Sequence, residues 1–193
     1  IGPSDDKILE IDELGIPGEH NLQNFLAAST CSHLMGISQN QIVKSMKEFK
    51  GVEHRLEYVR TINEVEFIND SKATNINSVI VAINTYDQPI VLILGGFNKG
   101  ANFRLLLPHI KSSHVRDIVS YGDAGGHINT ALGDAVRSVQ VTDLSSAVKK
   151  AQLMATPGDI VLLSPGCASY DEFSNFEERG NHFKSQIKSI ATS

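Results

Sequence analysis

Apolar and polar positions in this chain are grouped in blocks, and the blocks alternate between two periods. Pro89 to Leu94 and Ile160 to Leu163 are unbroken apolar runs, the pattern of strands covered on both faces. Val115 to Tyr121 and the shorter Val139 to Thr142 read as further strands, while Leu56 to Ile62 and Val65 to Ile68 flank Asn63 and Glu64 as a hairpin. Helical spacing fills the gaps. Ile76, Val79, Ile80 and Ile83 fall at i, i+3, i+4 and i+7; Leu105 to Ile110, Ile128 to Leu132, and Leu144 to Ala155 behind Asp143 follow the same rule. Phe173, Phe176, Phe183, Ile187 and Ile190 mark a last helix. This alternation predicts an α/β fold, a Rossmann-like, mostly parallel sheet with helices on both faces.

The first fifty residues read as an incomplete unit. Ile8, Leu9, Ile11 and Leu14 suggest a short strand within Lys7 to Leu14, before a turn at Gly15 to Gly18. A helix follows in which Phe25, Ala28, Cys31 and Met35 recur at three or four residues, widened by Leu22, Leu26 and Leu34, which places Cys31 in a core. Gly36 is positioned to end that helix, and Ser38 to cap a second one running to Phe49. Gly51 is the best boundary before the strand-rich remainder.

Three loops at strand ends carry polar chemistry, and ligands of open α/β sheets bind at such ends. After Phe67 and Ile68, the residues Asn69 to Asn75 place six polar side chains in seven positions, including Asp70, Ser71, Lys72 and Thr74. This stretch reads either as a ligand loop or as a solvated turn that caps the next helix with Thr74 or Asn75. Gly95 and Gly96 allow close backbone approach and Lys99 offers a mobile cation, which suits an anion; a plain surface lysine fits the same pattern. Ser164 to Ser169 can present NH groups and hydroxyls to a carboxylate or phosphate, or simply turn the chain. Nothing in the sequence places a histidine beside Cys167 to activate it.

Composition narrows the function classes. The 193 residues carry 22 acidic and 17 basic side chains, a formal charge of −5 with no block of like charges, so no nucleic-acid footprint is present. The two cysteines lie far apart and the seven histidines show no metal-ligand spacing, which predicts reduced thiols, no metal site and a cytoplasmic setting. No apolar run approaches the length of a membrane span. The GxxxxGK[ST] phosphate loop is absent, and the chain begins at Ile1, which suggests a piece of a longer protein.

Several of these stretches together resemble the Mur ligases. Gly18, Glu19, His20, Asn21, Asn24, Ala27 and Ala28 look like the motif that ends the family's central ATP-binding domain, and Gly51 to Glu57 resemble its linker. NDSKATN resembles the D-glutamate-adding branch, as do LILGGFNKGANF and LLSPGCASYDEFSNFEERG. Gly166 and Tyr170 depart from that pattern, where alanine and leucine are common. The resemblance implies residues 1–50 as the end of the central domain and 51–193 as a carboxyl-terminal Rossmann-like glutamate ligase domain.

It also implies an ADP-forming amide ligase that activates a carboxylate of UDP-N-acetylmuramoyl-L-alanine with ATP and lets D-glutamate attack. Mg2+ would be held mainly by the central domain, and this chain alone would be inactive. By the same resemblance His20, Asn21, Asn24, Arg55 and Asp70 line the nucleotide site, with Lys72 at the phosphates. Thr74, Lys99, Ser169, Tyr170 and Phe176 hold D-glutamate. Two other readings stay open: a related ligase such as another Mur enzyme or a folylpolyglutamate synthase, and a noncatalytic binding module on the same scaffold.

Overall fold

The computed structural model describes residues 9–16 and 19–190, with the side chains of Glu19 and His20 outside the description. Lys7, Ile8 and Gly18, which the sequence places in the first strand and its turn, lie outside the described residues. The chain divides into two compact units, Ile1–Val52 and Glu53–Ser193.

In the first unit the expected strand is replaced by a turn of 3-10 helix at Ile11–Glu13, with the Glu13 carboxylate accepting from the Glu10 N–H at 3.2 Å. A lone strand has no ladder to satisfy its backbone, whereas a local turn supplies i to i+3 bonds. Helix α1 (Glu19–Leu34) ends where Ile37 N–H reaches Ser32 O at 3.1 Å, with Gly36 at φ +84°. Helix α2 (Gln39–Glu48) starts at Ser38, whose N–H and hydroxyl both donate to Gln41 Oε1. Phe25 and Phe49 meet edge to face at 5.8 Å. Cys31, by contrast, is exposed, as are Leu34 and Met35. Helical spacing identifies an apolar stripe but not what covers it.

The second unit is a six-stranded sheet in the order β1-β2-β6-β3-β4-β5. Strands β1 (Glu57–Ile62) and β2 (Val65–Asn69) form the expected hairpin, turning through Asn63 and Glu64 at φ +50° and +61°. This left-handed pair matches the twist of the flanking strands. Strands β3 (Ile90–Gly95), β4 (Val115–Tyr121), β5 (Arg137–Gln140) and β6 (Ile160–Gly166) run parallel to β2. The fourth expected strand therefore lies two residues earlier than its apolar residues suggest. Its start is held by Arg137, which forks onto Asp117 of β4.

Alternate residues of the central strands feed two cores. Ile90, Leu92 and Leu94 face one with α3 (Ile76–Ile83), α4 (Leu107–Ser112) and α5 (Gly125–Leu132). Val91 and Ile93 face the other with α6 (Leu144–Met154) and α7 (Phe176–Ser189). Each fully buried Val, Leu or Ile contributes roughly 1.5–3 kcal/mol, so burial on both faces dominates this unit. Helix ends follow their caps. Asn75 Oδ1 accepts from Ser78 N–H at 3.0 Å and Asp143 Oδ1 from Ser146 N–H at 2.8 Å. The final helix begins at Phe176 rather than Phe173 because Asn175 is its cap, and Leu105 falls in a 3-10 turn (Phe103–Leu106) that precedes α4.

Candidate functional site

The connections after β3 and β6 leave the sheet in opposite directions, the first to α4 in one core and the second to α7 in the other. Strands β3 and β6 are neighbours, so a crevice opens at their carboxyl ends, where open α/β sheets bind ligands. All three polar loops of the sequence meet there, since β2 also pairs with β6.

The loop after β2 is buried at its start and exposed at its middle. Asp70 is 5% exposed and accepts from Ser164 Oγ at 2.8 Å and from Leu56 N–H at 3.2 Å. Burial lifts its carboxyl to about 7, against the pull of those two donors and of Arg55 and Arg179. Asn69 Nδ2 donates to His54 Nδ1 at 3.0 Å and to Glu57 Oε2 at 2.9 Å, which puts the imidazole proton on Nε2. Burial holds His54 below the ordinary histidine range, and Lys184 adds to it. His54 and Leu56 both adopt left-handed backbone, φ +64° and +45°, a strained geometry that these bonds lock in place.

Helix α7 closes this corner. Gly180 lies so near His54 that a methyl group there would sit 2.2 Å from Nδ1. In an open helix, glycine to alanine stabilises by up to about 1 kcal/mol, but the clash outweighs it. Gly180→Ala is expected to lower stability by about 1–3 kcal/mol in urea unfolding. An unchanged midpoint would show that His54 gives way freely.

Arg179, the residue just before it and on the inward side, is fully buried. Its Nε donates to Ser71 Oγ at 2.9 Å, Nη2 to Ser71 O at 2.8 Å, and Nη1 to Cys167 O and Ala168 O at 3.0 and 3.1 Å. One guanidinium therefore binds the loop after β2 to the loop after β6. Sequence reasoning missed it, although Phe176, Arg179, Phe183 and Ile187 share one helical stripe, and a charge on an otherwise apolar stripe was the available signal. Gly96 has a packing reason of its own: at φ +120°, a side chain there would meet Ala168 O at 2.4 Å.

The expected site residues fall into two groups. Arg55, Asp70, Lys72, Thr74, Lys99, Ser169, Tyr170 and Phe176 all belong to the second unit, Arg55 just before β1, Phe176 at the start of α7 and the others on the three strand-end loops. Arg55, Lys72, Thr74 and Lys99 are exposed, whereas Ser169 is buried. Lys72 Nζ lies over the Phe176 ring at 5.7 Å and Lys99 Nζ over the Tyr170 ring at 5.1 Å. Asn21 and Asn24 belong to α1 in the first unit, the former buried and the latter exposed. The side chain of His20 lies outside the described residues. Burial pushes the Cys167 thiol up to about 12, which suits a packed core thiol and not a nucleophile.

Although the histidines show no ligand spacing in sequence, the fold gathers Glu53, His54 and Glu57. Lys184 Nζ already bonds both carboxylates, that of Glu57 at 3.1 Å. An ammonium thus neutralises the group that a divalent cation would need.

Known proteins resemble this chain in sequence and in fold. Residues 54–167 match the family described as Mur ligase, glutamate ligase domain. The chain is 44% identical over 180 residues to the UDP-N-acetylmuramoylalanine–D-glutamate ligase of Bacillus mycoides (strain KBAB4), covering 92% of this chain and 40% of that protein. The enzyme of the same name from Bacillus anthracis is 44% identical over 182 residues. The chain therefore spans about 40% of the length of these curated relatives. Among solved structures, UDP-N-acetylmuramate-alanine ligase from Thermotoga maritima superposes with a TM-score of 0.69 at 17% identity, covering 91% of this chain and 39% of that one. The bifunctional folylpolyglutamate synthase/dihydrofolate synthase of Yersinia pestis superposes at 0.55 and 15%, covering 76% and 34%. Likenesses at such identities bear on the fold alone.

Proposed function

This chain belongs to the Mur ligase family through its glutamate ligase domain, and on that footing we propose that it is the carboxyl-terminal part of an ATP-dependent, ADP-forming ligase that joins D-glutamate to UDP-N-acetylmuramoyl-L-alanine for peptidoglycan precursor synthesis. The observation that carries this reading is the pair of lysines at the crevice. Among the described residues neither Lys72 nor Lys99 has a carboxylate partner, so both charges remain available to anionic ligands. The 44% identity to ligases of that name supports the choice of D-glutamate.

In this reading ATP transfers its terminal phosphoryl group to the substrate carboxylate, and the amine of D-glutamate attacks the resulting carbonyl carbon. An amide forms, the carbon–oxygen bond to phosphate breaks and the amine proton is released. The residues of this chain position and neutralise. Lys72 faces the phosphoryl group; Lys99, Thr74 and Ser169 hold the glutamate carboxylates, with Tyr170 and Phe176 beside them. Arg55 and Asp70 approach phosphate and ribose, and His20, Asn21 and Asn24 the adenine side. Mg2+ favours several oxygen ligands and water; with Lys184 seated between Glu53 and Glu57, its ligands are assigned to the rest of the ligase. No helix among the described residues is long and apolar enough to cross a membrane, and a cytoplasmic setting is part of the proposal.

The test is Lys99→Ala in the full-length ligase. A hydrogen bond to a charged group contributes about 1.5–3 kcal/mol, so kcat/KM for D-glutamate is expected to fall roughly 10- to 150-fold. Most of the loss should be a raised KM for D-glutamate, with the KM for ATP little changed. The opposite split would assign the loop after β3 to the nucleotide.

A further inference from the structure

The loop after β6 does more than contribute its own polar groups, because its aromatic ring fixes where a neighbouring cation stands. Lys99 Nζ lies 5.1 Å from the centroid of the Tyr170 ring. The two loops are joined at the base: Phe97 N–H donates to Ala168 O at 2.9 Å, and the Phe97 and Tyr170 rings meet edge to face at 6.5 Å. Arg179 holds the same Ala168 carbonyl from below. The ring is thus fastened to the loop that carries the lysine. Lys72 over Phe176 repeats the arrangement on the other side of the crevice.

A ring face differs from a carboxylate in what it leaves free. It attracts an ammonium through its quadrupole but offers no lone pair comparable to a carboxylate oxygen. All three N–H donors of Lys99 can still point at a ligand. Lys184 illustrates the alternative, with its charge already committed to Glu53 and Glu57. A long, flexible side chain held by a ring loses less freedom when a ligand arrives, which raises affinity without a new contact.

We propose that Tyr170 is a positioning residue: its ring holds the Lys99 ammonium, undischarged, where a carboxylate of the incoming amino acid is bound. This rests on the reading of Lys99 as a D-glutamate ligand.

The experiment is a double-mutant cycle in the full-length ligase with Tyr170→Leu, Tyr170→Phe, Lys99→Ala and the Tyr170→Leu/Lys99→Ala pair, reading KM for D-glutamate and for ATP separately. For an exposed cation over a ring, Tyr170→Leu is expected to raise the D-glutamate KM about two- to five-fold. Tyr170→Phe, which keeps the face and loses the hydroxyl, should restore it. In the Lys99→Ala background, Tyr170→Leu should add nothing. Alongside, the ε-methylene protons of Lys99 in the 193-residue chain should show an upfield ring-current shift that Tyr170→Leu abolishes and Tyr170→Phe keeps. If the coupling appears on the ATP KM instead, the positioning role stands and the D-glutamate assignment of Lys99 falls. Additive effects of the two substitutions, or a Tyr170→Phe variant as impaired as Tyr170→Leu, would overturn the positioning role itself.

Discussion

Arg179→Ala is expected to lower the stability of the second unit by about 3–5 kcal/mol, which is a large part of the 5–15 kcal/mol that a whole domain possesses. The guanidinium serves four acceptors, and they are not equally dependent on it. Ala168 O keeps the Phe97 N–H and Ser71 Oγ keeps its bond to Phe176 O at 2.8 Å. Ser71 O and Cys167 O lose the donors recorded for them. Two orphaned buried carbonyls cost about 1–3 kcal/mol each, and truncating a large buried side chain adds a cavity. Lysine keeps the charge but not the fork, so Arg179→Lys should recover little. Urea unfolding of both variants checks this. A loss under about 1 kcal/mol would mean that water substitutes for the guanidinium and that the two loops stand without it.

A second large effect concerns pH. The Asp70 carboxyl has an ordinary value of 3.8 and is raised to about 7 in the fold, with burial as the principal cause. Between those values the folded state keeps a proton that the unfolded chain has released, so stability falls as pH rises through this window and is flat above it. At about 1.4 kcal/mol per unit, the loss across the window is on the order of 2–4 kcal/mol. Depressed His54 works in the opposite sense near neutrality, so the useful quantity is the difference between two proteins. Asp70→Asn can still accept from Leu56 N–H and can donate to Ser164 Oγ. It should match the parent near pH 4 and exceed it by about 2–4 kcal/mol near pH 8. Parallel stability curves would show that the carboxylate stays ionised. Where Asp70 is needed for nucleotide, the more stable variant should be the less active one.

The contrast between Arg179 and the three loops shows what a single sequence exposes. Asn69 to Asn75 follows an apolar run directly, and that change of character is local, so the end of β2 and the polar loop behind it were legible from spacing, while the choice between a ligand loop and a solvated turn was not. Caps are equally local, which is why Asp143 stood directly before its helix and the cap of α3 was narrowed to Thr74 or Asn75, of which the fold uses Asn75. Strand Val115–Tyr121 was placed to the residue because its ends coincide with polar punctuation, whereas β5 is fixed by Arg137 reaching across to Asp117, a pairing between strands that no window contains. Arg179 reads as a surface charge inside EERG until its helical stripe is drawn. Lys184 and Glu53, 131 positions apart, have no sequence signal at all. Cys31 failed for another reason: periodicity shows that a helix has an apolar side, but burial depends on a partner. The individual roles at the crevice came from family resemblance and not from spacing.

The position of β6 has a consequence for how the domain is born. This strand lies between β2 and β3, yet it is made last. Until Ile160–Gly166 leaves the ribosome, the hairpin β1–β2 and the group β3–β4–β5 are separate half-sheets, each with an open edge of unpaired amides. Those edges are the surfaces on which nascent chains pair wrongly with one another. The interval lasts for the synthesis of about two-thirds of the domain, and closing it joins contacts that are distant along the chain, a slow kind of step. A polypeptide stalled before β6 would be left as two mutually attractive fragments, a natural client for the chaperones that bind emerging strands.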